Sequence, residues 1–251
     1  MKPWLRQYGP AVLFVIILAG VWEAATVWLD IPRYIIPRLS RVLVSVWDTR
    51  DLLWRHSLYT LQEALLGLLL SVLFGVLLAS LMEGSRLAKR TLYPLVIASQ
   101  TIPIVALSPV MVMWFGYEIW SKVAVVILFT FFPVTVGAVD GFRQTDPGTL
   151  ELMKTMGASN GQIFRKLKIP SALPSFFTGL KVAATFSIGG ATIGEWLGAD
   201  SGLGMYTKRA SSQMRSEALF AGVLVLSCLG IAMFLAALLL EKRVVRWQNG
   251  R

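Results

Sequence analysis

The 251-residue sequence predicts an all-α integral membrane protein with six transmembrane helices. Hydrophobic residues make up 55% of the chain and charged residues 15%, whereas a soluble domain carries about 25% charged residues. Apolar stretches recur at close to the roughly 20 residues that cross a bilayer. The predicted spans are 9–29, 60–82, 92–116, 121–140, 173–196 and 218–240. They leave room only for loops, so we expect a single transmembrane domain, 1–251.

The first span follows a short basic segment, as the apolar part of a cleaved signal peptide would. Lys2 and Arg6 precede an apolar run that is interrupted only by Glu23. The run reaches Leu29 without a small-residue cleavage site, so we expect it to be retained as a helix. After a proline-containing link, Ser40 is expected to cap a short amphipathic helix at the outer interface.

The third predicted span is rich in proline and polar residues. Proline removes a helix hydrogen bond and kinks the helix, and in a membrane the freed carbonyl groups need polar neighbours or water. A kinked span that faces a pathway is therefore expected, with a proline-bent packing helix as the alternative. The candidate pathway residues are Gln100, Thr101, Pro103 and Ser108.

Two predicted spans carry glycines four residues apart, Gly137 with Gly141 and Gly190 with Gly194. Small residues at this spacing let membrane helices approach closely. Packing within the chain and contact with a second copy both remain open.

Ionisable residues within the spans are few. We expect Lys181 to extend towards the interface and Glu195 to lie in the interface at the end of the fifth span. The spacing of Glu23, Glu63, Lys181 and Glu195 does not suggest a catalytic pair.

A polar, basic insert at 143–172 separates two long apolar runs. Asp146 and Pro147 are expected to start a helix, as cap and first residue, and Gly157 to end it in the left-handed conformation. Glu151 is expected near the start of this helix, where the helix dipole favours an anion.

A second short helix is predicted directly after Gly157. Ser159 and Gln162 form a capping-box pattern, and Pro170 is expected to end the helix. The insert also presents apolar residues suited to a partner's cleft or to the base of the protein itself. These residues are Leu152, Met156, Ile163, Phe164 and Leu167.

The formal net charge of +10 reflects basic residues scattered through short loops, which favours a membrane protein over one that binds nucleic acid. If the N-terminus is cytoplasmic, the cytoplasmic segments hold 14 of the 24 Lys and Arg residues and the outer segments hold nine. This distribution predicts that both termini are cytoplasmic.

Enzymatic motifs are weak. Residues 157–161 match G-x-S-x-G, but that motif needs a preceding strand and a histidine, and the chain has only His56. No phosphate-binding G-x-x-x-x-G-K-[ST] loop and no Cys/His metal cluster occurs, so we expect no catalytic residue, metal or cofactor. The single cysteine, Cys228, is expected to pack in the last span.

Four segments resemble permeases of ATP-binding-cassette (ABC) importers. The order of Glu151, Gly157, Leu167 and Pro170 resembles the "EAA" loop of that family. Residues 35–40, 94–116 and 194–204 are similar to segments of the six-span subfamily that serves sulfonate, taurine, nitrate and thiamine-precursor uptake. Leu152 and Met153 replace the two alanines of the loop but keep its apolar character.

This resemblance implies a type I ABC importer permease fold in a bacterial inner membrane. It implies two ATPase subunits, an extracytoplasmic solute-binding protein and two permease subunits, for which one permease sequence favours a homodimer. ATP would be hydrolysed on the separate ATPase. The implied ATPase-coupling residues are Glu151, Gly157, Ala158, Ser159, Asn160 and Gln162.

The solute is expected to be small and organic or anionic: a thiamine-pyrimidine precursor, sulfonate, taurine or nitrate. Residues 196–204 favour the pyrimidine precursor on resemblance. An ion-driven secondary transporter and an integral-membrane enzyme are the alternatives. The former would show inverted repeats with paired broken helices, and none is recognisable in the sequence.

Overall fold

A computed structural model describes residues 3–246, with side chains from residue 9 onwards. Lys2, the Arg6 side chain and Arg251, which contribute to the predicted orientation, lie outside the described part. Residues 3–246 form eleven α-helices and one π-helical turn, with no β-strand. The helices are α1 (Pro3–Trp28), α2 (Leu39–Asp48), α3 (Arg50–Gly84), α4 (Arg86–Ser99), α5 (Ile104–Phe115), α6 (Ile119–Arg143), α7 (Pro147–Thr155), α8 (Asn160–Ile163), α9 (Ile169–Trp196), α10 (Leu203–Ser212) and α11 (Ser216–Val244).

Five helical segments are long and apolar enough to cross a membrane: α1 from Gly9, α3, α6, the continuous α8–α9 segment, and α11. Helices α4 and α5 together form a sixth candidate, but they meet at 100° across a short break. The all-α fold with six candidate spans is confirmed when this pair counts as one span. The third span is broken rather than kinked, because Pro103 disfavours helix at the residue before it.

The largest helix contact joins α6 and α9. A Cβ at Gly179 would lie 2.2 Å from the Pro133 carbonyl oxygen, and one at Gly194 would lie 3.0 Å from the Cα of Lys122. Gly141 approaches Ala172 equally closely. The paired glycines therefore serve packing within the chain, where absent side chains let the two backbones meet.

Helix α3 packs across both α6 and α9, and α11 covers α9 and α10. The resulting core is built from small and branched apolar residues. Its fully buried members include Ala64, Val126, Val134, Ala183, Ala184 and Ala191. Helices α3, α6 and α9 thus form one packed unit that connects the two ends of the molecule.

Helix α1 lies at the periphery and contacts α2. The Glu23 carboxylate accepts hydrogen bonds from the Ser40 N–H at 3.1 Å and the Ser40 hydroxyl at 2.7 Å. The expectation that Ser40 caps α2 is therefore wrong: the helix begins at Leu39, and Glu23 provides the carboxylate at its start.

Candidate functional site

Helix α7 begins as the sequence predicts. Asp146 accepts hydrogen bonds from the Thr149 N–H at 2.7 Å and the Thr149 hydroxyl at 2.6 Å, and Pro147 is in the first turn. These hydrogen bonds hold the pKa of Asp146 below its ordinary value, so the capping carboxylate is ionised at neutral pH. Gly157 follows the helix with φ of +77°, the left-handed conformation expected of a terminating glycine.

The capping box at the start of α8 is also confirmed. The Ser159 N–H donates to Gln162 Oε1 at 2.8 Å, and the Gln162 N–H donates to Ser159 Oγ at 3.3 Å. The Ser159 and Gln162 side chains thus satisfy backbone N–H groups at the start of α8, directly after the Gly157 turn. This geometry also removes the hydrolase alternative, because the Ser159 turn joins two helices and residues 3–246 contain no strand.

Pro170 does not end the second helix, contrary to the sequence prediction. The chain passes from α8 through a π-helical turn, Phe164–Lys168, directly into α9, with Pro170 in the first turn of α9. The Ile169 N–H bonds to the Phe164 carbonyl five residues back. The wider turn accommodates a ring that would clash with the carbonyl four residues earlier in a regular α-helix.

The apolar residues of the insert divide into two groups. Ile163 is 3% exposed, and the Phe164 ring lies 5.5 Å from that of Phe142, so this group anchors the insert to the protein's own base. Leu152 and Met156 are 59% and 77% exposed on α7. One side of the insert is therefore fixed, and the other presents uncovered apolar side chains.

Two charged residues of the insert, Glu151 and Lys168, lie in different surroundings. Glu151 is exposed at the fifth position of α7, beyond the first turn, so the expected interaction with the helix dipole is wrong. Lys168 Nζ lies 2.5 Å from Glu83 Oε1 and joins the end of the insert to the end of α3. Both members of this ion pair are largely buried.

The predicted pathway residues lie at the α4–α5 break. Gln100, Thr101 and Pro103 are exposed, and Gln100 lines a cavity of about 330 Å³ together with α3 and α6 residues. Ser108 is fully buried, and its hydroxyl donates to the Ile104 carbonyl at 3.1 Å. The break therefore brings three of the four residues to the surface and leaves the fourth in the packing.

An acidic pair that the sequence did not suggest lies at the far end of α9. Glu195 is 1% exposed, and its carboxylate accepts from the Thr60 hydroxyl of α3 at 2.6 Å. Glu63, 6% exposed, lies three residues after Thr60, on the same side of that helix. Residue spacing could not show this pairing, because 132 positions separate the two residues. The glycine-rich segment after Glu195 was the available signal, since close backbone approach needs glycine.

Membrane-length helices packed together beside a polar insert are the arrangement of a multi-pass membrane protein. Residues 71–246 match the family of binding-protein-dependent transport system inner membrane components, and the chain belongs to that family. No group of three or more His, Cys, Asp or Glu residues suited to a metal ion occurs in the described part of the chain.

Relatives of known name agree with this assignment. The chain is 43% identical to the formylaminopyrimidine transport permease ThiX of Halalkalibacterium halodurans, covering 94% of this chain and 95% of the relative. It is 27% identical to the taurine transport permease TauC of Escherichia coli, covering 98% and 92%. The inward-facing MetNI methionine ABC transporter shares the fold, with a TM-score of 0.63 at 20% identity, covering 79% of this chain and 97% of that one.

The chain is therefore the multi-pass permease subunit of an ABC importer with the type I permease fold. Its family implies an ATPase and a binding protein as partners, and ATP hydrolysis occurs on the separate ATPase subunit. The secondary-transporter and membrane-enzyme alternatives are set aside on this ground.

Proposed function

We propose that this permease carries a formylaminopyrimidine or a closely related pyrimidine delivered by a binding protein. Identity of 43% to a formylaminopyrimidine permease along nearly the whole chain favours this solute class over taurine, for which the identity is 27%. The segment 196–204, singled out in the sequence, agrees with the same choice.

The ATPase docks on the exposed side of the 143–172 insert. The observation that carries this proposal is the 77% exposure of Met156 on a segment whose opposite side is anchored by Ile163 and Phe164. Leu152 is 59% exposed one helical turn before Met156, and neighbouring apolar side chains surrounded by polar residues are typical of a protein–protein contact. Glu151 and the turn at 157–162 complete the contact surface.

The translocation pathway forms where two copies of the permease face each other. Gln100 and Thr101 are exposed at the α4–α5 break, and polar groups with open backbone are costly against lipid. A second copy placed over this break would enclose a polar pathway. Ser108 is excluded from the lining because its side chain is buried.

Both termini are cytoplasmic in this proposal, because the ATPase reaches the insert from the cytoplasm. The exposed apolar side chains of α1, including Phe14, Val15 and Ile16, then face lipid. The cytoplasmic position of both termini agrees with the distribution of basic residues among the loops.

The docking proposal is tested by Met156→Asp, with Leu87→Asp as a matched control. The two side chains are 77% and 76% exposed, and Leu87 lies outside the insert at the start of α4. Met156→Asp should abolish co-purification with the ATPase and ATP-driven uptake in vesicles, whereas Leu87→Asp should retain both. Equal behaviour of the two variants would refute docking through α7.

The solute proposal is tested separately in proteoliposomes that contain the permease, its ATPase and its binding protein. ATP-dependent uptake of labelled formylaminopyrimidine, competed by unlabelled pyrimidine but not by excess taurine, is the expected result. Uptake of taurine alone would reverse the assignment.

A further inference from the structure

The pair Glu63 and Glu195 lies at the end of α9 that is remote from the insert. Glu195 is held by defined donors: the Thr60 hydroxyl at 2.6 Å and the Gly204 N–H at 2.5 Å. The second bond places the carboxylate at the start of α10, where free N–H groups and the helix dipole favour an anion. Glu195 therefore has the environment of an ionised carboxylate.

The backbone around Glu195 fits this carboxylate closely. Gly202 has a φ of +108°, and a Cβ there would lie 2.2 Å from the Glu195 Cδ. The position thus excludes any side chain both by conformation and by space. The turn at 197–204 is therefore shaped around the Glu195 carboxylate. Glu63 receives no hydrogen bond from the Thr60 and Gly204 donors that hold Glu195.

If Glu63 were ionised, one of its carboxylate oxygens would lack a hydrogen-bond donor. Its Oε2 atom is buried without a partner. The Thr60 hydroxyl, its neighbour on α3, already donates to Glu195 and accepts from the Leu203 N–H at 2.9 Å. His56 Nδ1 accepts from the Gly202 N–H at 3.0 Å, so the ring carries its proton on Nε2 and is neutral.

Lys122 does not supply the missing donor either. Its ammonium group has three N–H bonds, and they are directed to the backbone carbonyls of Tyr117, Glu118 and Gly198. The single positive charge of Lys122 can neutralise one of the two carboxylates, Glu63 or Glu195, but not both. Two exposed charged residues of α10 also lie near this cluster. Arg209 acts on His56, and the Lys208 ammonium donates to the Trp196 carbonyl.

We propose that Glu63 is protonated and donates a hydrogen bond to the Glu195 carboxylate, and that this shared proton holds α3 against the turn at 197–204. With Glu63 neutral, Lys122 and Glu195 balance each other, and no uncompensated buried charge remains. A hydrogen bond between two carboxyl groups also requires one of them to be protonated. Glu63 is thus a positioning residue that acts through Glu195.

A second charged contact lies further along α3, at its last turn. Glu83 contacts Lys168 of the insert and lies 20 residues, or about 30 Å of helix, beyond Glu63. Helix α3 therefore contacts both ends of the segment 160–196. Loss of the shared proton as pH rises leaves two adjacent carboxylates and weakens only the contact remote from the insert.

Reciprocal substitutions test the proposal in the purified full-length permease. Glu63→Gln replaces the protonated acid by an amide that still donates, so its unfolding temperature should equal the wild type at neutral pH. Glu195→Gln loses an oxygen that accepts from the Thr60 hydroxyl or the Gly204 N–H, and it should be clearly destabilised. Glu118→Gln, an exposed carboxyl at the same end, serves as the control and should resemble the wild type.

Infrared spectroscopy and a pH profile test whether Glu63 is the protonated residue. The carbonyl band of a protonated carboxylic acid should be lost in Glu63→Gln and kept in Glu118→Gln. Raising the pH should lower the unfolding temperature and uptake of wild type and Glu118→Gln, and Glu63→Gln should resist this loss. Failure of Glu195→Gln to fold beside a stable Glu63→Gln supports the assignment. An unchanged band in Glu63→Gln, or equal destabilisation of both variants, overturns it.

Discussion

Lys181 Nζ lies 2.7 Å from Glu241 Oε2 and joins the middle of α9 to the end of α11. Both side chains are only about one-fifth exposed, at 19% and 20%. The sequence predicts that Lys181 extends towards the interface, and the structure adds a carboxylate at the end of the neighbouring helix that neutralises it. Each member of the pair therefore depends on the other to avoid an unpaired charge at low exposure.

Replacing Lys181 by Met should destabilise the permease because Glu241 would lose its counter-ion. The cost should lie below the roughly 3–5 kcal/mol of a fully buried pair, since solvent reaches part of this one. The double variant Lys181→Met with Glu241→Leu should recover most of the loss. Unfolding temperatures of both single variants and the double variant give the coupling, and strictly additive effects would contradict the ion pair.

The Glu83–Lys168 ion pair should matter for coupling more than for folding. Glu83→Gln should keep ATPase binding but lower uptake per ATP hydrolysed, because the insert loses its charged contact with α3. Asp140→Asn is the control, since the Asp140–Arg143 pair is 45% exposed on both sides and contributes little. ATP hydrolysis and uptake are measured in parallel in proteoliposomes. An unchanged ratio of uptake to ATP hydrolysis in Glu83→Gln would show that this contact has no part in coupling.

Gly157→Val should impair ATPase binding through the backbone. A β-branched residue at φ of +77° is strained by about 1–3 kcal/mol, although open space surrounds the position. Gly84→Val introduces the same side chain into open space at ordinary φ and should bind the ATPase normally. Co-purification of each variant with the ATPase is the measurement, and normal binding by Gly157→Val would show that the turn tolerates rearrangement.

Gln100→Trp should block uptake without preventing assembly, because a large ring would fill the polar break between α4 and α5. Val15→Trp on α1 provides the comparison, since Val15 is 63% exposed on a peripheral helix. Uptake and ATPase co-purification are measured for both variants. Wild-type uptake by Gln100→Trp would place this break outside the pathway.

The orientation is tested by a single cysteine at position 154. Lys154 is exposed on α7, and Cys228 is exposed on α11, so Lys154→Cys is combined with Cys228→Ala. An impermeant thiol reagent should label this variant only in inverted vesicles. Labelling in intact cells would mean that the insert, and with it the proposed ATPase surface, faces outward.

Local signals predicted the parts of the site that are built locally. The Asp146 cap, the positive φ of Gly157 and the Ser159–Gln162 capping box each involve neighbours within a few residues, and all are confirmed. The Glu63–Glu195 pair was missed because helix packing, not spacing along the chain, brings the two residues together. Pro170 was misassigned because local rules treat proline as a terminator and cannot foresee a π-helical turn before it.

The π-helical turn at 164–168 has a consequence for how the insert faces outward. Such a turn accommodates one more residue than a regular α-helical turn, and each residue of an α-helix advances by about 100°. A deletion of one residue here would rotate everything that precedes it by about that angle around the axis of α9. The side of the insert that carries Leu152 and Met156 would then point elsewhere, with every side chain of that surface intact. The angular setting of the subunit's docking surface therefore depends on a one-residue count within this turn.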